Sequence, residues 1–149
     1  MKIALGTDHR GFDHKELIKR TLYLPEITIE WLDVGAFNKE RTDYPPFAKE
    51  ACLAITKGYA QRGILLCGSG VGMSIAANRF AGIYAALVWN DVLARLCKED
   101  DNANVLVIPS DFMSNEMVMA SVQAWLLAEF KGDRYQQRLT IINSWGGLK

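Results

Sequence analysis

Cysteine and histidine are scarce in this 149-residue chain, with three of the first and two of the second. Cys52, Cys67 and Cys97 are odd in number and lack the spacing of a metal-binding set. That argues against a disulfide framework or a resident metal and fits a reducing compartment. An excess of either charge is also missing. Seventeen Lys and Arg balance seventeen Asp and Glu, so no global field favours nucleic acid or an anionic membrane, and any anion site must be local. No stretch approaches the roughly 20 apolar residues of a membrane span, and Met1–Gly6 is too short for the apolar core of a signal peptide. Repeats, low-complexity tracts and long linkers are absent. These absences predict a cytoplasmic protein with neither nucleic acid nor membrane as a partner.

Half of the residues are hydrophobic, enough for one domain over residues 1–149 to bury a core without staples. Strand-type runs are read at Ile3–Gly6, Ile27–Val34, Gly63–Cys67, Tyr84–Trp89 and Val105–Ile108. Helical patterns lie between them near His14–Leu22, Pro46–Thr56, Val71–Arg79, Asp91–Glu99 and Asn115–Phe130, with a last one after Arg134. Such alternation predicts an α/β sandwich built on a parallel sheet. Ligands of open parallel sheets lie beyond the carboxyl ends of the strands. That rule selects the loops Thr7–Arg10, Gly35–Tyr44, Gly68–Gly72, Asn90 onward and Pro109–Ser114.

Cys67 stands where an apolar strand meets the loop Gly68-Ser69-Gly70-Val71-Gly72 and a following helix. Glycines let backbone N–H groups converge on one point, and a helix N-terminus adds partial positive charge. Both features favour a thiolate and an oxyanion, so a thiol pKa below ~8.5 and chemistry on a small anionic substrate are expected. A dinucleotide fingerprint fails because its third glycine would fall at Met73, and no Gly-Lys-Ser/Thr follows for a P-loop. A cysteine phosphatase would need arginine at that same position. Cys52 and Cys97 lie within helical patterns and read as structural; His14 reads as surface. Arg134 and Arg138 share a helix face by their i,i+4 spacing and suit a phosphate.

Taken together, Gly6-Thr7-Asp8-His9-x-Gly11-Phe12, Arg41-Thr42-Asp43-Tyr44-Pro45, Cys67-Gly68-Ser69-Gly70-Val71-Gly72-x-Ser74-Ile75-Ala76-Ala77-Asn78, Asn102-Ala103-Asn104-Val105 and Arg134-Tyr135-Gln136-Gln137-Arg138 resemble the type B ribose-5-phosphate isomerases. That family also contains the galactose-6-phosphate isomerase subunits. The resemblance implies a three-layer, Rossmann-like sandwich with a five-stranded parallel sheet, whose C-terminal helix packs on a partner subunit. It further implies a homodimer or dimer of dimers with shared sites. The implied reaction interconverts an aldose phosphate and a ketose phosphate through a cis-enediolate, without metal or organic cofactor, in the pentose phosphate pathway. By the same resemblance Cys67 is the base and Ser69 a proton relay. The Gly68, Gly70, Val71 and Gly72 amides form an oxyanion hole. Asp8, His9, Tyr44 and Asn102 contact the sugar phosphate, and Arg134 and Arg138 hold its phosphate.

Two positions depart from the family. Asp100 stands where its typical members carry a ring-opening histidine, and Asp111 where they carry a phosphate-binding arginine. Asp100 is a candidate for ring opening as a carboxylate–carboxylic acid pair with Asp101, since adjacent like charges raise one pKa. An anion at 111 opposes a phosphate, so that loop is expected to point away or the substrate to sit differently. Ribose 5-phosphate is the expected substrate, with galactose 6-phosphate, allose 6-phosphate or a non-catalytic sugar-phosphate sensor as alternatives.

Overall fold

A computed structural model describes residues 1–146. Its five strands are β1 (Lys2–Thr7), β2 (Glu30–Gly35), β3 (Arg62–Cys67), β4 (Ala85–Leu87) and β5 (Val105–Pro109). All pair in parallel, in the order β2-β1-β3-β5-β4. The helices are α1 (Phe12–Thr21), α2 (Pro45–Thr56), α3 (Val71–Ala77), α4 (Asp91–Asp101), α5 (Asn115–Leu127) and α6 (Asp133–Ser144).

The three layers follow from the period-2 alternation of the strands. Ile3, Leu5, Ile64, Leu66, Leu106 and Ile108 project to one face and join Ile18, Val118, Val122 and Trp125 in a first core. Ala4, Leu65, Cys67, Val105 and Val107 project to the other and meet Ala48, Ala51, Cys52, Met73 and Ala77. The second face is lined by small residues, which lets α2 and α3 approach the sheet closely. A one-residue slip of β3 would exchange the two sets, so burial on both faces fixes the register that aims Cys67.

Several predicted boundaries shift for local reasons. β2 starts at Glu30 rather than Ile27 because the Ile27 N–H closes a turn onto the Leu24 carbonyl at 3.2 Å. β4 ends at Leu87 rather than Trp89, because Asn90 caps α4 by accepting the Leu93 N–H at 2.8 Å. α3 ends at Ala77, where Asn78 bonds both the N–H and the carbonyl of Ala85. α5 stops at Leu127 rather than Phe130, and the Arg62 guanidinium takes up the Trp125 and Leu126 carbonyls at 3.2 Å each. Among the described residues no helix is long and apolar enough to cross a membrane.

The sheet reverses its winding at β1, with β2 on one side and β3 on the other. The crevice of such a sheet opens at that switch, outside the strand carboxyl ends. Register there pairs Thr7 with Leu66, and Cys67 with Pro109. The loops after β1, β3 and β5 therefore converge.

Candidate active site

Cys67 ends β3, 5% exposed, and its Sγ accepts the Gly70 N–H at 3.2 Å. Gly70 adopts a left-handed conformation (φ 75°) that turns this amide inward as the chain enters α3. Burial is the largest influence on the thiol and raises its pKa, and the nearby Asp8 charge adds to the rise. The Met73, Gly70 and Ser69 amides pull the other way without prevailing. This corrects the expected lowering. The thiol lies in a second apolar core, and the helix behind it is only seven residues long. Cys52 and Cys97 are structural as predicted: both are buried, with thiols pushed up to about 11 and about 12.

Asp8 is 6% exposed and caps the turn after β1, its Oδ1 accepting the Arg10 and Gly11 N–H groups at 2.9 and 3.3 Å. The next residue, His9, is anchored through Nδ1, 3.0 Å from the Thr42 carbonyl. Its Nε2 has no partner among the described residues. Tyr44 precedes α2 and packs on the glycine loop, so that a Cβ at Gly72 would stand 2.4 Å from its ring. Ser69 is exposed, with its Oγ accepting the Val71 N–H at 3.4 Å. Asp8, His9, Tyr44, Cys67 and residues 68–72 thus share one end of the sheet. The loop of residues 36–44 is braced from below by Lys15, which is wholly buried and donates to Asp33 at 2.8 Å and to the Ala36 carbonyl at 2.6 Å. Sequence reasoning passed over Lys15, because a lysine within an amphipathic helix reads as solvated.

Asp100, Asn102, Arg134 and Arg138 are elsewhere. α4 runs away from the cysteine edge and delivers Asp100 and Asn102 to the edge where β3 and β5 begin, as the Gly63 N–H bond to Asn104 shows. Six residues of β3 separate the two edges, a span of roughly 17 Å. Arg134 and Arg138 lie on α6 near Asp100 and Asp101 and flank the Tyr135 ring. Asn102 takes a left-handed conformation at the end of α4 and accepts Lys98 Nζ at 2.5 Å.

At the two departures the structure supplies partners. Asp100 pairs with Lys131 at 2.7 Å. The carboxyl held above its ordinary range is that of Asp101, raised first by burial and then by the Asp100 charge. Asp111 neither points away nor stands bare; its carboxylate forms an ion pair with Arg10. Arg10 thus stands beside Gly68 at the cysteine end, a placement that sequence reasoning missed although the residue follows His9 directly in a loop already singled out.

Comparison with known proteins agrees over nearly the full length. The Ribose/Galactose Isomerase family model matches residues 3–142. Ribose-5-phosphate isomerase B of Escherichia coli (strain K12) is 43% identical over 143 residues, 96% of this chain and 95% of that protein. The solved structure of Clostridium thermocellum ribose-5-phosphate isomerase B superimposes with a TM-score of 0.91 at 37% identity, covering 97% of this chain and 96% of that one. Ribose-5-phosphate isomerase B from Mycoplasma genitalium, solved with bound ribulose-5-phosphate, does so with a TM-score of 0.90 at 33% identity, covering 99% and 97%. By sequence and by architecture alike, the chain belongs to the ribose/galactose isomerase family.

Proposed function

We propose that this chain acts as a single cytoplasmic sugar-phosphate isomerase domain interconverting ribose 5-phosphate and ribulose 5-phosphate, with Cys67 as the base. The supporting observation is the Cys67 thiol at a strand end, receiving a glycine-loop amide, between Asp8-His9 and Tyr44. In this reading the thiolate takes the proton from C2 of the open-chain aldose, leaving a cis-enediolate. The resulting thiol returns the proton to C1, giving the ketose with the base regenerated. Loop amides at Gly68–Gly72 stabilise the oxyanion, and Ser69 relays protons between the substrate oxygens. The chemistry proceeds on side chains and amides alone.

A complete site needs two chains. Arg134, Arg138, Asp100 and Asn102 lie at the sheet edge opposite Cys67, so a partner copy supplies them to the cysteine end in a homodimer with two composite sites. Apolar side chains support this reading. Val71, Ile75, Trp89, Val92 and Phe112 near the cysteine end, Ile141 on α6 and Trp145 just after it are each at least 49% exposed; exposed apolar side chains of this kind suit an association face.

Ketose formation from ribose 5-phosphate, followed alongside allose 6-phosphate and galactose 6-phosphate, tests the assignment. The pentose phosphate should be preferred by kcat/KM. Cys67→Ala should lower kcat by about a thousandfold or more while ribose 5-phosphate binding stays within about tenfold. Binding without turnover in the native protein would instead identify a sugar-phosphate sensor.

A further inference from the structure

Arg10 and Asp111 come from loops on different strands and meet over the residue that follows the thiol. Arg10 lies after β1 and is held at its backbone by Asp8. Asp111 lies after β5, and its N–H donates to the Gly68 carbonyl at 3.0 Å. A Cβ at Gly68 would stand 2.6 Å from both Arg10 Nε and Asp111 Oδ2, so glycine is required there for the two side chains to meet. The Arg10 side chain is 56% exposed, and an ion pair that open to solvent adds little to stability. Its geometry serves something else. A guanidinium has five N–H donors; Nη2 engages Asp111, and the remaining nitrogens have no side-chain or carbonyl partner among the described residues. Asp8 and Cys67 both lie close enough for their charges to act on Arg10. The result is a cation with unused donors, oriented by a carboxylate, at the rim of the thiol site.

We propose that Arg10 is a substrate ligand that binds the phosphate of the sugar, and that Asp111 is the positioning residue that aims it. This rests on the isomerase reading above. A sugar phosphate carries its anion a short carbon chain from the carbon deprotonated at Cys67, and the rim of the site is where that anion falls. A bare carboxylate at 111 would repel it. Paired with Arg10, the same carboxylate is neutralised and fixes a fork suited to phosphate oxygens. The phosphate cation absent from the loop after β5 is thus supplied by the loop after β1.

The test combines calorimetric titration of inorganic phosphate with ribose 5-phosphate kinetics for native protein, Arg10→Ala, Asp111→Asn and the exchange Arg10→Asp/Asp111→Arg. Arg10→Ala should weaken phosphate binding and raise KM by about tenfold or more, with kcat changed by less than about threefold. Asp111→Asn should raise KM less, because the cation remains, and the exchange should return KM to within about threefold of native because the pair is rebuilt with its ends reversed. Native phosphate affinity and KM in Arg10→Ala would overturn the proposal. So would equal losses in Arg10→Ala and Asp111→Asn with no recovery in the exchange, which is the behaviour of a latch between loops. Absence of ribose 5-phosphate turnover in the native protein would remove the isomerase reading instead, and the phosphate titration would still decide the role of Arg10.

Discussion

Cys67 closes β3 at one edge of the sheet, while Asp100, in the last turn of α4, stands at the opposite edge. Because α4 is antiparallel to the strands it covers, no side-chain rotation brings these two residues of one chain together. A composite site therefore makes a specific demand on mixed dimers. Cys67→Ala and the double variant Arg134→Ala/Arg138→Ala should each be nearly inactive at low substrate. Equal mixing with subunit exchange should restore roughly a quarter of native activity, since half of the dimers are mixed and one of their two sites is intact. Verified exchange with no recovery would mean that each site is built from one chain.

The Cys67 thiol is raised by burial and by Asp8, against the pull of three amides. With Cys67 as the proposed base, turnover needs the thiolate. In the free enzyme kcat/KM should therefore climb with pH through the ordinary thiol value of ~8.5 and keep rising beyond it, rather than levelling off near neutrality. Asp8→Asn removes one upward influence and should move the rise to lower pH. A stopped-flow alkylation profile of Cys67 reports the same ionisation independently of turnover, and a plateau well below pH 8 in both measurements would contradict the burial argument.

Asp100 and Asp101 are neighbouring carboxylates; burial and then the Asp100 charge raise the Asp101 pKa, and Lys131 binds Asp100. If this pair opens the furanose ring, Asp100→Asn and Asp101→Asn should each slow ribose 5-phosphate far more than a four-carbon aldose phosphate, which cannot close such a ring. Asp101→Asn removes the carboxyl whose pKa is raised, and Asp100→Asn removes one charge that contributes to that rise. Equal slowing of both substrates would assign the pair to packing rather than to ring opening.

Lys98 is 9% exposed, bonded to Asn102, and its pKa is pulled down to about 8 by burial and by Arg62. The unfolded chain, at ~10.4, binds more protons between these values, so this group makes stability rise with pH across roughly pH 8 to 10.4. Below that window the charged amine carries its full burial cost. Lys98→Met should accordingly stabilise the protein by about 1–3 kcal/mol at pH 7, an advantage that shrinks towards pH 10. Urea denaturation of both proteins at the two pH values measures the difference. A pH-independent gap would show that packing, rather than ionisation, separates them.

The order of strands and helices, the parallel sheet and the Cys67 loop were all legible in the sequence, because each rests on local chemistry. Period-2 alternation names a strand face, Asn90 marks a helix start, and glycines bordering a cysteine mark an anion-facing turn. Asp8, His9 and Tyr44 were reachable too, since the rule that ligands sit beyond strand carboxyl ends selects their loops. What the tertiary structure decided was which groups face one another. Arg10 and Asp111 lie 101 positions apart, and they meet only because β1, β3 and β5 are adjacent in that register. The upward shift at Cys67 was equally hidden. A local motif shows the amides that favour the thiolate, whereas the desolvation opposing them comes from α2, α3 and β5 packing around the thiol, and burial of that kind depends on the whole fold.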